Sequence, residues 1–360
     1  MTGAHDFAAR LLAWYDQHGR KNLPWQTPRT PYRVWLSEIM LQQTQVATVI
    51  GYFERFTAAL PDLAALAAAP QDQVLGLWSG LGYYSRARNL HKAAKICLAG
   101  HGGELPRDFD ALAALPGIGR STAGAILAQA WELPHAILDG NVKRVLSRYH
   151  GVHGWPGSTA TARELWQHAE ASTPKQRVAD YTQAIMDLGA TLCVRSRPRC
   201  GVCPQAVDCV ARRENLTAQL PARKPPKQIP TRATCLLILR DAQQRILLQR
   251  RPASGVWAEL WSLPEAADAT EAPRLARSLG AKAGAVQALT TFTHVFSHYK
   301  LEITPLLASA QALPQAAERS DLRWCGAEEF IPLGLPAPVR RLLQALPPTT
   351  AGAAAPGDYA

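Results

Sequence analysis

The chain has 360 residues, a formal charge of +11 and seven cysteines, four of them within Cys193–Cys209. This length suits two domains, each with its own core, and the crowded cysteines exclude a small secreted disulfide scaffold, whose cysteines would be spread along the chain. No run is apolar for long enough to cross a bilayer, and the start lacks the basic, apolar, small-residue order of a signal peptide. A soluble, intracellular (cytoplasmic) protein in a reducing compartment, with no membrane partner, is therefore expected.

From Phe7 to about Cys209 apolar residues recur at helical spacing, broken by prolines and glycines, which predicts an all-helical first domain of roughly ten helices. The first chemically loaded stretch is a helix expected over about Tyr32 to Ile50. In it Glu38 precedes Gln42 by one turn and Gln45 by two, while Trp35, Ile39 and Met40 surround the carboxyl with apolar bulk. Desolvation raises a carboxyl pKa, so Glu38 is a candidate acid near neutrality; a solvated surface glutamate is the plainer alternative. Next, Gly80-Leu81-Gly82-Tyr83-Tyr84 forms a tight glycine turn with an aromatic pair, followed by a helix bearing Arg86, Arg88, Lys92 and Lys95. Rings beside a basic helix suit base stacking and phosphate contact, and a packed aromatic pair under a solvated basic face would read the same way.

The stretch from Leu115 to Asn141 organises the chain. Leu115-Pro116-Gly117-Ile118-Gly119 ends one helix and starts another near Ser121. Its unpaired N–H groups and side-chain-free glycines form either an ordinary helix-helix turn or a nest that a phosphate oxygen can approach. Asp139 follows in a polar break between Leu138 and Val142, placed to cap the next helix or to be aimed into a cleft. Then Cys193-x6-Cys200-x2-Cys203-x5-Cys209 puts four thiols in a loop with too few apolar residues to form its own core. The unequal spacing wraps one compact centre, which favours a 4Fe-4S cubane over a four-sulfur zinc site. Between Arg195 and Arg232 nine basic residues face two acidic ones, and such clustering implies a polyanionic partner.

The Pro221–Pro230 stretch reads as a stiff basic linker. Beyond it strand character appears at Thr234–Leu239, Arg245–Gln249, Trp257–Leu263 and Thr291–Leu307, with helices near Glu271–Leu279 and Ala337–Ala345, so the second domain is expected to be α+β. Expected bounds are a helical domain over 1–192, a cysteine loop over 193–209, a linker over 210–232, a second domain over 233–346 and a disordered tail over 347–360.

A hairpin followed 20 residues later by an aspartate, an upstream glutamate in an apolar setting and a basic four-cysteine loop resemble the helix-hairpin-helix DNA glycosylases. The fuller resemblance is to the adenine DNA glycosylases of the MutY family. It is carried by Leu-Pro-Trp (23–25), Trp-Leu-Ser-Glu-Ile-Met-Leu-Gln-Gln-Thr-Gln-Val (35–46), Gly-Leu-Gly-Tyr-Tyr (80–84), Leu-Pro-Gly-Ile-Gly (115–119), Leu-Asp-Gly-Asn-Val (138–142), the cysteine loop and Phe-Ser-His (296–298). The resemblance implies a monomeric glycosylase that removes adenine mispaired with 8-oxoguanine or guanine in double-stranded DNA, with Glu38 and Asp139 as its catalytic pair. It further implies Gln43 and Tyr83 as wedges, Thr44 near the lesion, Gly117 and Gly119 (with Ser121 beginning the next helix) at a phosphate, Gln183 near the extruded adenine, and Phe296, Ser297 and His298 as lesion readers.

The second domain resembles the Nudix fold but has no Arg-Glu-x-x-Glu-Glu box around 255–280, so pyrophosphate hydrolysis is not expected. Two other readings remain open at this point. An endonuclease III-like glycosylase/lyase would act on oxidised pyrimidines, but such enzymes carry a lysine where this chain has Ser121. In a non-catalytic iron-sulfur DNA-binding protein, both carboxyls would be structural.

Overall fold

The structure, a computed structural model, describes residues 3–225, 228–296, 298–313 and 319–346. Ser297, two linker residues and the 347–360 tail lie outside the described residues. The chain divides into two compact units, Met1–Ala69 with Ser85–Pro226, and Pro70–Tyr84 with Lys227–Ala360. No helix of the described residues is long and apolar enough to cross a membrane.

In chain order the helices up to the cysteine loop are α1 (Gly3–His18), α2 (Pro31–Leu41), α3 (Val46–Ala59), α4 (Leu63–Ala68), α5 (Gln71–Leu77), α6 (Ser85–Gly100), α7 (Phe109–Ala113), α8 (Arg120–Trp131), α9 (Gly140–His150), α10 (Thr159–Ser172) and α11 (Val178–Thr191). The short α12 (Val210–Arg213) follows that loop. Local chemistry sets many of the starts. The side chains of Thr30, Asp62, Asp108, Asp139 and Ser158 each accept a hydrogen bond from the backbone N–H three residues on. One core of this unit gathers Phe7 and Leu11 of α1, Leu146 of α9, Leu165 of α10 and Leu188 of α11.

The helix expected from Tyr32 to Ile50 is broken. α2 ends at Leu41, Gln43 takes a left-handed φ of 59°, and Gln45 caps α3. Consequently Glu38, Gln42 and Gln45 do not share one helical face. The break is stabilised from afar: the buried Arg86 guanidinium donates to the carbonyls of Ile39 (3.0 Å), Met40 (2.8 Å) and Gln42 (2.6 Å) and to Thr44 Oγ1 (3.2 Å). Arg86 is thus a structural plug for α2 rather than a solvated phosphate contact.

The other unit is built on a mixed sheet of β1 (Thr231–Arg240), β2 (Ile246–Arg250), β3 (Trp261–Ser262), β4 (Glu265–Ala266), β5 (Ala281–Ala288), β6 (Phe292–Val295), β7 (Lys300–Ala312) and β8 (Leu322–Cys325), with α13 (Ala272–Ser278) and α14 (Ala337–Ala345). Its main order is β3-β2-β1-β7-β5, and β1 and β7 run parallel from Thr231↔Lys300 to Arg240↔Ser309. Strand alternation fills two faces. Leu236, Ile238 and Leu248 pack with Val339 and Leu343 of α14, whereas Leu237, Leu239 and Leu247 pack with Ala272 and Ala276 of α13.

Two strand expectations change. Thr291–Leu307 is two antiparallel strands, β6 and β7, and Trp257–Leu263 contributes only β3 because Trp257 (φ 58°) and Glu259 (φ 60°) are left-handed. Residues 70–84, flanked in sequence by helices of the other unit, belong here. Asp72 pairs with Arg250 (3.1 Å), Tyr84 donates to the Leu335 carbonyl (2.7 Å), and Arg340 donates to Ser79 (2.8 Å).

Candidate active site

Glu38 and Asp139 line one cavity of about 550 Å³ in the helical unit, together with Arg20, Trp25, Thr44, Asn141 and Gln183. α2 supplies Glu38 from a helix whose Trp35, Leu36, Ile39 and Met40 are buried. Its one hydrogen bond within the described residues comes from Gln129 Nε2 on α8, at 2.8 Å. Burial pushes the Glu38 carboxyl up from 4.5 to about 7; the Gln129 donor opposes this and the nearby Asp139 charge adds to it.

Asp139 has the opposite surroundings. As the N-cap of α9 it accepts from the Val142 N–H (2.7 Å) and from Asn141 Nδ2 (3.4 Å). Burial raises its pKa on balance, against the lowering by the Val142 and Asn141 backbone N–H groups and by the charges of Arg144 and Lys143. Burial raises the carboxyl pKa of both, and within the one cavity Asp139 has more donors to an anion than Glu38 has. Both alternatives posed for Asp139 therefore hold, since it caps a helix and lines the cavity.

The hairpin lies between these parts. Gly117 has φ 82°, where an added Cβ would also press on Asn89 at 3.0 Å, while around Gly119 nothing lies within 4 Å of a Cβ. Gly119 is the N-cap of α8. Ser121 Oγ accepts the Leu138 N–H (2.9 Å), which ties the hairpin helix to the segment that carries Asp139. Gln42 reaches the Gly117 carbonyl and Thr122 Oγ1, both at 3.4 Å. Gln43 is exposed on its left-handed turn, and Thr44 stands beside it on the cavity.

In the other unit Tyr83 is half exposed at φ 47°, directly after Gly80 (φ 99°) and Gly82 (φ 75°). There too the Phe296 N–H donates to the Tyr299 carbonyl (2.9 Å), closing a turn whose rings pack together. Phe296 lies 5.5 Å from Trp257, 4.5 Å from His294 and 6.1 Å from His298 between ring centroids.

Cys193, Cys200, Cys203 and Cys209 line a separate small cavity with Arg148 and Arg199. All four are unbridged, and among the described residues no three ligating side chains converge as a single ion would require. Buried Arg148 braces the loop by donating to the carbonyls of Val194 (2.8 Å), Arg195 (3.2 Å), Thr217 (2.7 Å) and Leu220 (2.9 Å), and to Cys193 Sγ at 3.5 Å. Arg144, one turn earlier on α9, joins Asn141 Oδ1, the Gly189 carbonyl and the Cys193 carbonyl, each at 2.7 Å. α9 thus runs from the cavity of Glu38 and Asp139 to the cysteine loop. Arg195, Arg197 and Arg199 are exposed on that loop.

Sequence reasoning misses Gln129, Arg20 and Asp187. Asp187 accepts from Arg20 and from Gln183 Nε2, and only the buried helical position of an acidic residue hints at it.

Residues 36–171 match the model of the HhH-GPD superfamily base excision DNA repair proteins, and residues 235–345 match that of the NUDIX domain. Among solved structures, a thermostable thymine-DNA glycosylase aligns with TM-score 0.53 and 26% identity over 58% of this chain and 95% of its own. An endonuclease III in a non-covalent DNA complex aligns with TM-score 0.50 and 23% identity over 58% and 94%, a likeness of fold. The adenine DNA glycosylase of Buchnera aphidicola (Acyrthosiphon pisum) is 36% identical across 94% of this chain and 97% of its own, and the human one 36% identical across 90% and 71%. Identity at that level, running through both units, shows that the chain belongs to the adenine DNA glycosylase family.

Proposed function

We propose that the chain hydrolyses the N-glycosyl bond of adenine mispaired with 8-oxoguanine, or less readily with guanine, in duplex DNA, as a monofunctional glycosylase that leaves an abasic site. The observation that carries this reading is the pair of carboxyls in one cavity, one with a single amide donor and the other with several. A stacked adenine is out of reach, so it is extruded into that cavity at a cost of about a few kcal/mol. Adenine leaves poorly as an anion. Glu38, protonated near neutrality, donates to a ring nitrogen, and its carboxylate afterwards orients and deprotonates water. As the bond breaks, positive charge develops on the deoxyribose, and the Asp139 carboxylate stabilises or covalently traps that cation, following the two-carboxylate logic of glycoside cleavage.

Gly117, Gly119 and the start of α8 hold a phosphate of the strand. Gln43 and Tyr83, both exposed on left-handed backbone, serve as wedges, with Thr44 toward the lesion. Phe296, Ser297 and His298 read 8-oxoguanine. Ser121, engaged with the Leu138 N–H, stands where lyases of related fold carry a nucleophilic lysine, which supports a monofunctional enzyme.

The reading of a 4Fe-4S cluster held by Cys193, Cys200, Cys203 and Cys209 is supported by all four residues of the 193–209 loop lining one small cavity. Bound there, the cluster supplies a structural clamp. Arg148 and Arg144 hold the loop's backbone, and Arg195, Arg197 and Arg199 meet DNA phosphates.

The test uses duplexes carrying adenine opposite 8-oxoguanine and, separately, an oxidised pyrimidine. Adenine release that Glu38→Gln and Asp139→Asn each abolish is the expected result. Wild-type release by both variants would make the carboxyls structural, and pyrimidine release with strand cleavage would replace this reading with the endonuclease III type.

A further inference from the structure

On α11, Gln183 and Asp187 stand one turn apart, and Asp187 is almost fully buried. Its Oδ1 accepts from Arg20 Nε (2.9 Å), Arg20 Nη2 (2.7 Å) and Gln183 Nε2 (2.7 Å), and its Oδ2 accepts from the Arg20 backbone N–H (2.7 Å). Every group that meets this carboxylate is a donor. Were the Gln183 amide turned end for end, its Oε1 would face Oδ1 at the same separation, two acceptors with no proton between them. The amide is therefore locked with its NH2 on Asp187. Gln183 lines the cavity that holds Glu38 and Asp139, and Oε1 is the end it has left for a ligand.

We infer that Asp187, braced by Arg20, is a positioning residue that presents the Gln183 carbonyl oxygen to the bound base, so that the cavity selects a purine with an amino group at C6 and rejects one with a keto oxygen there. An amino group donates to Oε1. A keto oxygen meets it acceptor to acceptor and leaves it unsatisfied in a largely dry site, which weakens the complex by about tenfold to hundredfold. The inference rests on the reading that this cavity receives the extruded base. A plain ion pair bracing α11 against the Arg20 segment would have no effect on base choice.

Single-turnover release of adenine and of hypoxanthine is compared in the full-length protein, on otherwise identical duplexes, and expressed as a ratio so that differences in leaving-group reactivity cancel between variants. Asp187→Asn supplies an amide that can donate to Oε1 and frees Gln183 to turn, so the adenine-to-hypoxanthine ratio should fall about tenfold or more. Gln183→Met keeps the Asp187–Arg20 pair, removes the amide, and should lower the ratio to a similar degree. If Asp187→Asn does not fold, Asp187→Glu keeps the charge opposite Arg20 but displaces the acceptor, and the same fall is expected. An unchanged ratio in Gln183→Met, or in whichever Asp187 variant folds, overturns the inference. Glu38→Gln separates the two levels. If it still releases both bases at wild-type rates, the cavity reading itself fails. If it stops both while the ratio ignores positions 183 and 187, only this inference fails.

Discussion

The two carboxyls of the cavity come from regions built on contrary principles. α2 holds Glu38 among buried apolar side chains and gives it one amide donor, so the acid stays neutral because partners have been withheld. α9 begins at Asp139 and gives it a backbone donor, an amide and the charges of Arg144 and Lys143, partners that favour an anion against the burial that raises its pKa. Similar burial thus produces dissimilar chemistry, and what differs is the inventory of donors. Two carboxyls with different donor sets thus share one cavity of a few hundred Å³.

Breaking either side should cost most of the activity. Glu38→Gln leaves the Gln129 hydrogen bond possible and removes the acid, for a loss of about 10³- to 10⁴-fold in single-turnover adenine release. In the native enzyme the rate should be level below pH 7 and fall about tenfold per unit above it, because the donor is the protonated form and burial sets its pKa near 7. A wild-type rate that rises through pH 7 to 9 would remove Glu38 from the acid role. Asp139→Asn separates two duties of one residue. Asparagine caps helices as well as aspartate does, so thermal stability should change by less than about 1 kcal/mol while the rate drops roughly 10²- to 10³-fold. Equal losses in stability and rate would mean that the cap, and not the charge, is what the site needs.

A second prediction acts on the Asp139 side alone. Arg148→Ala strips donors from four carbonyls that arrive from two different segments, and should destabilise the helical unit by about 3 to 5 kcal/mol. Urea denaturation would read this as a lowered midpoint at unchanged slope. A variant as stable as wild type would show that the cysteine loop is held without α9.

The comparison also shows what a sequence can carry. The environment of Glu38 is readable because its apolar neighbours lie within a turn on either side, and the cap at Asp139 is readable because an N-cap is a local rule. The partners of Asp139 are local too, but the donors that meet Glu38 and Asp187 are not. Gln129 is 91 residues from Glu38, and Arg20 is 167 residues from Asp187. The false continuity from Tyr32 to Ile50 has the same origin. Every residue there is a tolerable helix former, and the break is held by Arg86, more than 40 residues away, satisfying carbonyls that a continuous helix would have bonded internally. β5 escapes notice for the converse reason, since Ala281–Ala288 is mostly alanine and glycine and gains its strand geometry from pairing with β7.

A third prediction sharpens the Glu38 side through stability. A carboxyl whose folded pKa is raised holds its proton after the unfolded chain has lost it, so the fold is penalised progressively as pH rises from about 4.5 to about 7, and the penalty is complete above that. Glu38→Gln should therefore be more stable than wild type at pH 8 by about 2 to 3 kcal/mol and nearly equal to it at pH 4. A gain of the same size at both pH values would trace to packing, not to a withheld charge.

The smallest effect probes the link between the hairpin and the anion. Ser121 Oγ accepts the N–H of Leu138, the residue immediately before Asp139, and so fixes where the cap begins. Ser121→Ala removes that acceptor and should cost about 1 kcal/mol of stability. The consequence for rate follows from position rather than charge. Asp139 keeps its own donors at Val142 and Asn141 while its backbone loses one anchor. Adenine release should slow by only a few-fold, about what a small misplacement of a stabilising group costs, with no change in the shape of the pH profile. A shifted profile would mean that the hydroxyl acts on the proton balance between the two carboxyls, and the division into a withheld and a supplied partner set would then extend one residue further than the hydrogen bonds imply.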